Sequence, residues 1–217
     1  MLTLKQLHGL YVITHEQLMP EQHFMQMAEA SLAAGASILQ YRDKSTDTAK
    51  RLEQAENLKK ACHKHAAIFI INDDISLAKK IDADGVHLGR EDLSVKEARE
   101  QLGTEKIIGV SCYNQISLAR EAIDQKADYI AFGSFFNSSV KPDAAVASPN
   151  LITEIKKISD IPVCCIGGIN INNCKPLIES GADMLAVISE VFSSTDEKHI
   201  HDRCRQLSLV FNVTTHP

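Results

Sequence analysis

The 217-residue sequence lacks the features of several protein classes. Its net charge is −5, so no basic surface is expected to attract nucleic acid or an anionic membrane. No apolar run approaches the ~20 residues that a membrane-spanning helix needs. The N-terminal residues MLTLKQLHGL have neither the charged start nor the long apolar segment and cleavage site of a signal peptide. These absences predict a cytoplasmic protein with neither nucleic acid nor membrane as a partner.

The sequence also lacks a cysteine framework and any linker between domains. None of its six cysteines forms a C-x-x-C pair, and most lie within apolar segments. Free, buried thiols are therefore predicted instead of disulfides or zinc ligands. No low-complexity segment or charge block divides the chain, which predicts one domain over residues 1–217 with a frayed tail at 212–217.

The sequence does contain a repeated unit, in which a short apolar run with a polar end is followed by an amphipathic helix. Residues such as Asp47 and Ser94 are placed to cap these helices. The runs are 9–14, 37–39, 68–71, 85–88, 107–110, 129–136, 162–166 and 184–188. Continuous apolar strands between helices predict a parallel sheet covered on both faces, and eight units favour a single-domain (β/α)₈ TIM barrel. An open sheet of six or seven strands is the alternative if one run is miscounted.

Barrel enzymes place their sites at the carboxyl ends of the strands, where this sequence concentrates polar residues. Those ends carry Gln40, Arg42, Lys44, Asn72, Asp73, His87, Asp92, Ser111, Ser138, Ser139, Lys141, Gly168 and Ser189. The set includes three anion-binding cations, Arg42, Lys44 and Lys141, and a plausible metal pair, and no Ser–His–Asp spacing or reactive-cysteine signature accompanies them. Such a set is suited to holding a diphosphate while it departs.

Two carboxylates, Asp73 and Asp92, follow neighbouring strands and could share one Mg²⁺, which typically takes one or two carboxylates with waters and phosphates. The alternative is that they cap the next helices.

Arg42 and Lys44, two residues apart on an extended segment, point the same way and favour ligand contact over a solvated loop.

Gly167 and Gly168 precede a helix after the seventh strand, where barrels commonly bind phosphate. The alternative is a tight turn that needs glycine for its geometry. Asn172 or Asn173 could cap the helix that follows.

His87, between Val86 and Leu88, is interpreted as a hydrogen-bonded barrel histidine and not as a ligand or base.

Taken together, several segments resemble the thiamine-phosphate synthase family, which is a (β/α)₈ barrel. They are GLYVIT, ILQYRDK, FIINDD, ADGVHLGREDL, IIGVS, FGSFF followed by KPDA, IPVCCIGGI and GADMLAVIS, and they extend from residue 10 to 189. The resemblance implies a transferase that joins hydroxymethylpyrimidine diphosphate to a thiazole phosphate and releases pyrophosphate. The resemblance also implies that these small molecules are the partners of the protein and that Mg²⁺ is its cofactor. A homodimer is compatible with the resemblance.

The resemblance also implies a role for each matching residue. Gln40 and Ser111 would hold the pyrimidine, and Asp73 and Asp92 would carry Mg²⁺. The rest of the QYRDK segment, Tyr41, Arg42, Asp43 and Lys44, would contact substrate together with Asn72 and Lys141, and Arg42, Lys44 and Lys141 would act on the diphosphate. Ser138, Ser139, Val140, Gly168, Ile188 and Ser189 would line the thiazole-phosphate site.

The sequence departs from the family pattern at two positions. Val140 stands where a threonine is usual in the loop before Lys141, and His15 replaces an acidic residue at the end of the first strand.

Two rival functions share the barrel. A thiazole tautomerase-like isomerase would need no metal pair or diphosphate cations, and a catalytically silent barrel would only bind thiamine precursors. Release of pyrophosphate in a two-substrate assay separates them.

Overall fold

The computed structural model describes residues 7–137 and 147–213, and the side chains of 212 and 213 are not described. Eight parallel strands form a closed barrel in sequence order. The strands are β1 (Gly9–Ile13), β2 (Ala36–Tyr41), β3 (Ile68–Asn72), β4 (Gly85–Leu88), β5 (Ile107–Tyr113), β6 (Tyr129–Gly133), β7 (Val163–Ile166) and β8 (Met184–Val187). The predicted (β/α)₈ barrel is confirmed, and the open sheet is excluded.

Helices lie outside the strands and cover the barrel. They are α1 (Phe24–Ala33), α2 (Thr48–Lys64), α3 (Ile75–Lys80), α4 (Val95–Leu102), α5 (Ile116–Asp124), α6 (Asn150–Lys156), α7 (Lys175–Glu179), α8 (Ser189–Phe192) and α9 (Glu197–Val213). A 3₁₀ turn, Glu21–His23, precedes α1. No helix in the described part of the chain is long and apolar enough to cross a membrane.

The predicted caps of two helices are confirmed. The carboxylate of Asp47 accepts from the backbone N–H of Lys50 at the start of α2. Ser94 and Glu97 form a reciprocal capping box at the start of α4. Two helices differ from the prediction, since the four-residue α8 was not expected and α9 continues to Val213, two residues further than the tail prediction allowed.

The core has two layers because successive residues of a strand face opposite sides of the sheet. The larger layer fills the space between the strands and the helices. The smaller layer fills the barrel interior and includes Tyr11, Ile38, Ile70, Tyr129 and Met184, all buried. Two members of this layer, Tyr11 and Tyr129, are tyrosines, so the barrel interior carries hydroxyl groups that need hydrogen-bond partners.

Three aspartates tie neighbouring strands together at the amino-terminal end of the barrel. Each follows an alanine and directly precedes an even-numbered strand, and its carboxylate accepts from a backbone N–H at the start of the previous strand. The bonds join Asp84 to Phe69 (2.8 Å), Asp128 to Ile108 (2.8 Å) and Asp183 to Val163 (2.7 Å). The backbone N–H of each aspartate donates back to the carbonyl of the same residue. We call these the aspartate clamps, and they lie on the barrel face associated with stability.

Candidate active site

A cavity of about 700 Å³ opens at the carboxyl ends of the strands. The structure brings seven of the predicted site residues together in its lining: Gln40, Arg42, Asn72, Ser111, Gly168, Ile188 and Ser189. They come from strands and loops around the whole barrel, so closure of the sheet assembles the cavity. Ser138, Ser139, Val140 and Lys141 lie outside the described residues, and their roles remain predictions.

A chain of hydrogen bonds crosses the floor of this cavity. The amide Nε2 of Gln40 donates to Tyr11 Oη at 2.7 Å, and Tyr11 Oη lies 2.9 Å from Tyr129 Oη. Tyr129 Oη lies 2.9 Å from Nδ1 of His87, whose Nε2 lies 2.8 Å from Ser111 Oγ. Both ring nitrogens of His87 therefore have partners, which fits its interpretation as a hydrogen-bonded barrel histidine.

Burial holds the members of this chain in their neutral forms. It lowers the pKa of His87 to about 4, although Asp73 acts in the opposite direction. Burial likewise raises the pKa of Tyr11 and Tyr129 well above the ordinary value of a phenol. At neutral pH the floor is thus a polar network without charge.

The ends of β2, β3 and β4 form an ionic wall, where Arg42, Asn72 and Arg90 line the cavity. The predicted site residues Lys44, Asp73 and Asp92 lie beside these residues and are not part of the lining. The ammonium of Lys44 pairs with the carboxylate of Asp73, which also accepts from Asn72 Nδ2 at 2.6 Å. Asp92 accepts from the backbone N–H of Gly89 at 2.6 Å. Arg42 lines the cavity and, within the described part of the chain, makes no ion pair. Its guanidinium is therefore available to an anion.

Asp73 and Asp92 lie close enough for each to influence the titration of the other. Partial burial acts to raise the pKa of Asp73, but hydrogen bonds with Lys44 and Asp92 lower it overall. Partial burial raises the pKa of Asp92, and the neighbouring Asp73 raises it further. No third carboxylate, histidine or cysteine joins them among the described residues. Two adjacent carboxylates fit Mg²⁺, whose remaining ligands are waters and phosphates.

The opposite wall, formed by the ends of β6, β7 and β8, is built on glycine. Gly167 and Gly168 have φ of +103° and +62°, and a Cβ on Gly168 would lie 2.4 Å from the carbonyl oxygen of Asn137. Glycine is therefore required by geometry at this turn. One alternative predicted that Asn173 caps α7, but it does not. Its amide instead accepts from Asn170 N and donates to the carbonyl of Gly168, holding the turn in place.

The structure does not support substrate contacts for the side chains of Tyr41 and Asp43. Gln40 faces the barrel interior, so Tyr41 faces the helices, packing against Phe24 with its hydroxyl 3.0 Å from Gln54. Asp43 accepts from the backbone N–H of Ser45 and pairs with a lysine of α2. These contacts shape the loop that presents Arg42.

Several lining residues were missed from the sequence. They include Tyr11, Arg90, Tyr113, Asn114, Asn170 and Glu190. Arg90 lies within the matched segment ADGVHLGREDL, and its charge beside Asp92 was a usable signal. Tyr113 follows an irregularity in the pairing of β5 with β6 and has φ of +52°. Nothing in the sequence indicates that irregularity.

Comparison with known proteins agrees with this geometry. The model of the thiamine monophosphate synthase family matches residues 10–191. The chain is 45% identical over 210 residues to a thiamine-phosphate synthase from Alcanivorax borkumensis, covering 97% of each protein. It is 43% identical over 209 residues to one from Thioalkalivibrio sulfidiphilus, covering 96% of this chain and 98% of that protein.

A solved structure agrees with the overall fold as well. The thiamine phosphate pyrophosphorylase from Pyrococcus furiosus superposes with a TM-score of 0.87 at 32% identity, covering 99% of this chain and 100% of that one. A second pyrophosphorylase, from Bacteroides thetaiotaomicron, has a TM-score of 0.72 at 15% identity and supports the fold alone. On the family match and the extent of these similarities, the chain belongs to the thiamine-phosphate synthase family, the transferases of thiamine biosynthesis.

Proposed function

We propose that the chain couples hydroxymethylpyrimidine diphosphate with a thiazole phosphate to give thiamine phosphate and pyrophosphate. The observation that carries this proposal is the division of the cavity into two walls. At the ends of β2, β3 and β4 the lining holds Arg42, Asn72 and Arg90, and the Lys44–Asp73 pair and Asp92 lie beside them. At the ends of β6, β7 and β8 it holds Gly167, Gly168 and Ser189, with the carboxylate Glu190 paired to Arg203. In a ring of eight strands these groups face each other, so two anionic substrates can be held with their reacting atoms between them.

The ionic wall suits the departing diphosphate. Arg42, Lys44 and Asn72 supply donors for its oxygens, and Lys141 is expected to join them from the loop after β6. Donors fixed in place before the reaction stabilise the charge that develops on a leaving group. Asp73 and Asp92 would hold Mg²⁺, which supplies positive charge toward the phosphate oxygens when bound.

The glycine wall suits the phosphate of the thiazole. Gly168 leaves its backbone open to close approach, and Ser189 offers both its hydroxyl and the first N–H of α8. Ser138 and Ser139 are expected to add hydroxyl donors, with Val140 contributing none. Anchoring the phosphate here positions the thiazole nitrogen near the pyrimidine, which raises its effective concentration.

The reaction needs no nucleophile from the protein. The bond between the pyrimidine methylene carbon and the diphosphate oxygen breaks, and its electron pair leaves with pyrophosphate. The aminopyrimidine delocalises the resulting positive charge until the lone pair of the thiazole nitrogen forms the new C–N bond. The chain's own residues bind, orient and stabilise charge, in agreement with buried thiols whose pKa values burial raises.

A two-substrate assay tests the proposal. Purified protein with Mg²⁺ should release pyrophosphate and form thiamine phosphate only when both substrates are present. Arg42→Ala should lower kcat/KM, since its guanidinium lines the cavity without an ion-pair partner in the described part of the chain. Isomerisation of a thiazole phosphate without pyrophosphate release would instead indicate the tautomerase. Tight binding of both precursors without turnover would indicate a silent barrel.

A further inference from the structure

We propose that the hydrogen-bond chain across the cavity floor is directional, and that its direction makes the site select an aminopyrimidine over an oxopyrimidine. The chain joins Gln40, Tyr11, Tyr129, His87 and Ser111 in that order. This inference rests on the proposed function, because Gln40 and Ser111 are the expected pyrimidine contacts. Tyr11, Tyr129 and His87 would act as positioning residues that set which way the two contacts point.

The direction follows from the first member of the chain. The amide nitrogen of Gln40 faces Tyr11 Oη and can only donate, so Tyr11 accepts. The proton of Tyr11 then has Tyr129 Oη as its acceptor at 2.9 Å, within a site where both rings are at most 1% exposed. If Tyr129 donated to Tyr11 instead, the buried hydroxyl proton of Tyr11 would lack an acceptor in this chain. A buried donor without a partner is costly, so the first direction is favoured.

The same direction continues through the histidine. Tyr129 donates to Nδ1 of His87, and a neutral imidazole that accepts at Nδ1 carries its proton at Nε2. Nε2–H then donates to Ser111 Oγ at 2.8 Å. The proton of Ser111 is thereby left for the cavity, since its oxygen is already an acceptor.

The two ends of the chain therefore present opposite hydrogen-bonding groups to the cavity. Because Nε2 of Gln40 is bonded to Tyr11, Oε1 is the amide atom left for a ligand, and Ser111 offers a donor. A 4-aminopyrimidine has an N–H donor on one side and a ring-nitrogen acceptor on the other, which matches this pattern. A 4-oxopyrimidine places an acceptor where the amine would be and faces Oε1 of Gln40 with a second acceptor. Such a mismatch is expected to lower kcat/KM by on the order of 100-fold.

The chain matters because Gln40 alone could turn its amide around. Reversal would bring Nε2 to the oxo group and Oε1 to Tyr11, but Tyr11, Tyr129 and His87 would then all have to exchange donor and acceptor roles. Tyr129→Phe removes the middle oxygen and frees Tyr11 to donate to Oε1 of Gln40. Selectivity should therefore relax in a variant that alters neither of the expected pyrimidine contacts.

The experiment compares kcat/KM for the 4-amino substrate and its 4-oxo analogue, each with the thiazole phosphate. Tyr129→Phe should reduce the amino-to-oxo ratio by about tenfold, a change of roughly 1.4 kcal/mol, with the thiazole KM unchanged. Met184→Val is the matched control, because Met184 packs in the same interior layer and makes no bond to the chain. Its amino-to-oxo ratio should equal that of the parent.

The outcomes separate the inference from the function on which it rests. Pyrophosphate release with an unchanged ratio in Tyr129→Phe overturns the inference alone, whereas no release from either pyrimidine by the parent protein overturns the proposed function. The direction is also tested without any variant, by ¹⁵N NMR of His87 in the folded protein at neutral pH. The Nε2–H tautomer is expected, and the Nδ1–H tautomer would overturn the proposal.

Discussion

Asp183→Ala should destabilise the barrel without disturbing the cavity. The carboxylate of Asp183 accepts from the backbone N–H of buried Val163 and from the ammonium of Lys156, both at 2.7 Å. A hydrogen bond to a charged group contributes about 1.5–3 kcal/mol. The partly exposed ion pair adds about 0.2–1 kcal/mol. The free energy of unfolding should therefore fall by about 2–4 kcal/mol, which lowers Tm by roughly 4–16 °C for a domain of this size.

Thermal unfolding followed by circular dichroism measures this loss. Asp183→Asn keeps an acceptor oxygen for Val163 and should lose less than Asp183→Ala. Asp160→Ala is the matched control, because Asp160 is exposed in the segment that leads into β7 and makes no ion pair among the described residues. Equal Tm values for Asp183→Ala and Asp160→Ala would refute the clamp, and so would a loss of substrate affinity without a loss of stability.

Three further predictions concern the site and the thiols. Asp73→Asn, Asp92→Asn and EDTA treatment should each remove most turnover while Tm stays near that of the parent, and unchanged rates would contradict the magnesium assignment. Gly168→Ala should raise the KM for the thiazole phosphate, because its Cβ would lie 2.4 Å from Asn137 O. Gly103→Ala, with open space around its Cβ, should leave that KM unchanged. The six free cysteines should resist DTNB until the protein unfolds, because burial raises the pKa values of the thiols and only thiolates react. Rapid labelling of the folded protein would argue against burial of the thiols.

The strands were predictable because each is a continuous apolar run with a polar end. The direction of individual side chains was not, because a run that is buried on both faces carries no alternation. Tyr41 was therefore grouped with Gln40, although adjacent residues of a strand point to opposite faces. The contact between Tyr11 and Tyr129 joins residues 118 positions apart inside two such runs. No local pattern indicates that they meet.

The proximity of the polar strand ends, in contrast, was predictable. Parallel strands bring their carboxyl ends to one edge, so Gln40, Asn72 and Ser111 had to lie near one another once the barrel was recognised. Loop geometry was not predictable in this way, because it depends on hydrogen bonds formed within each loop. Asn173 was expected to cap a helix, but it reaches back to the carbonyl of Gly168 because the turn needs a partner there.

The two walls of the cavity are each encoded by one continuous half of the gene. The ionic wall comes from the ends of β2, β3 and β4, which precede β5 (Ile107–Tyr113), and the glycine wall comes from the ends of β6, β7 and β8, which follow it. The aspartate clamps join strands within these halves, β3 with β4, β5 with β6, and β7 with β8. A recombination junction between β4 and β5 would therefore transfer an intact wall with its clamps. Chimeras of related barrels could exchange one half of the cavity while leaving the other unaltered.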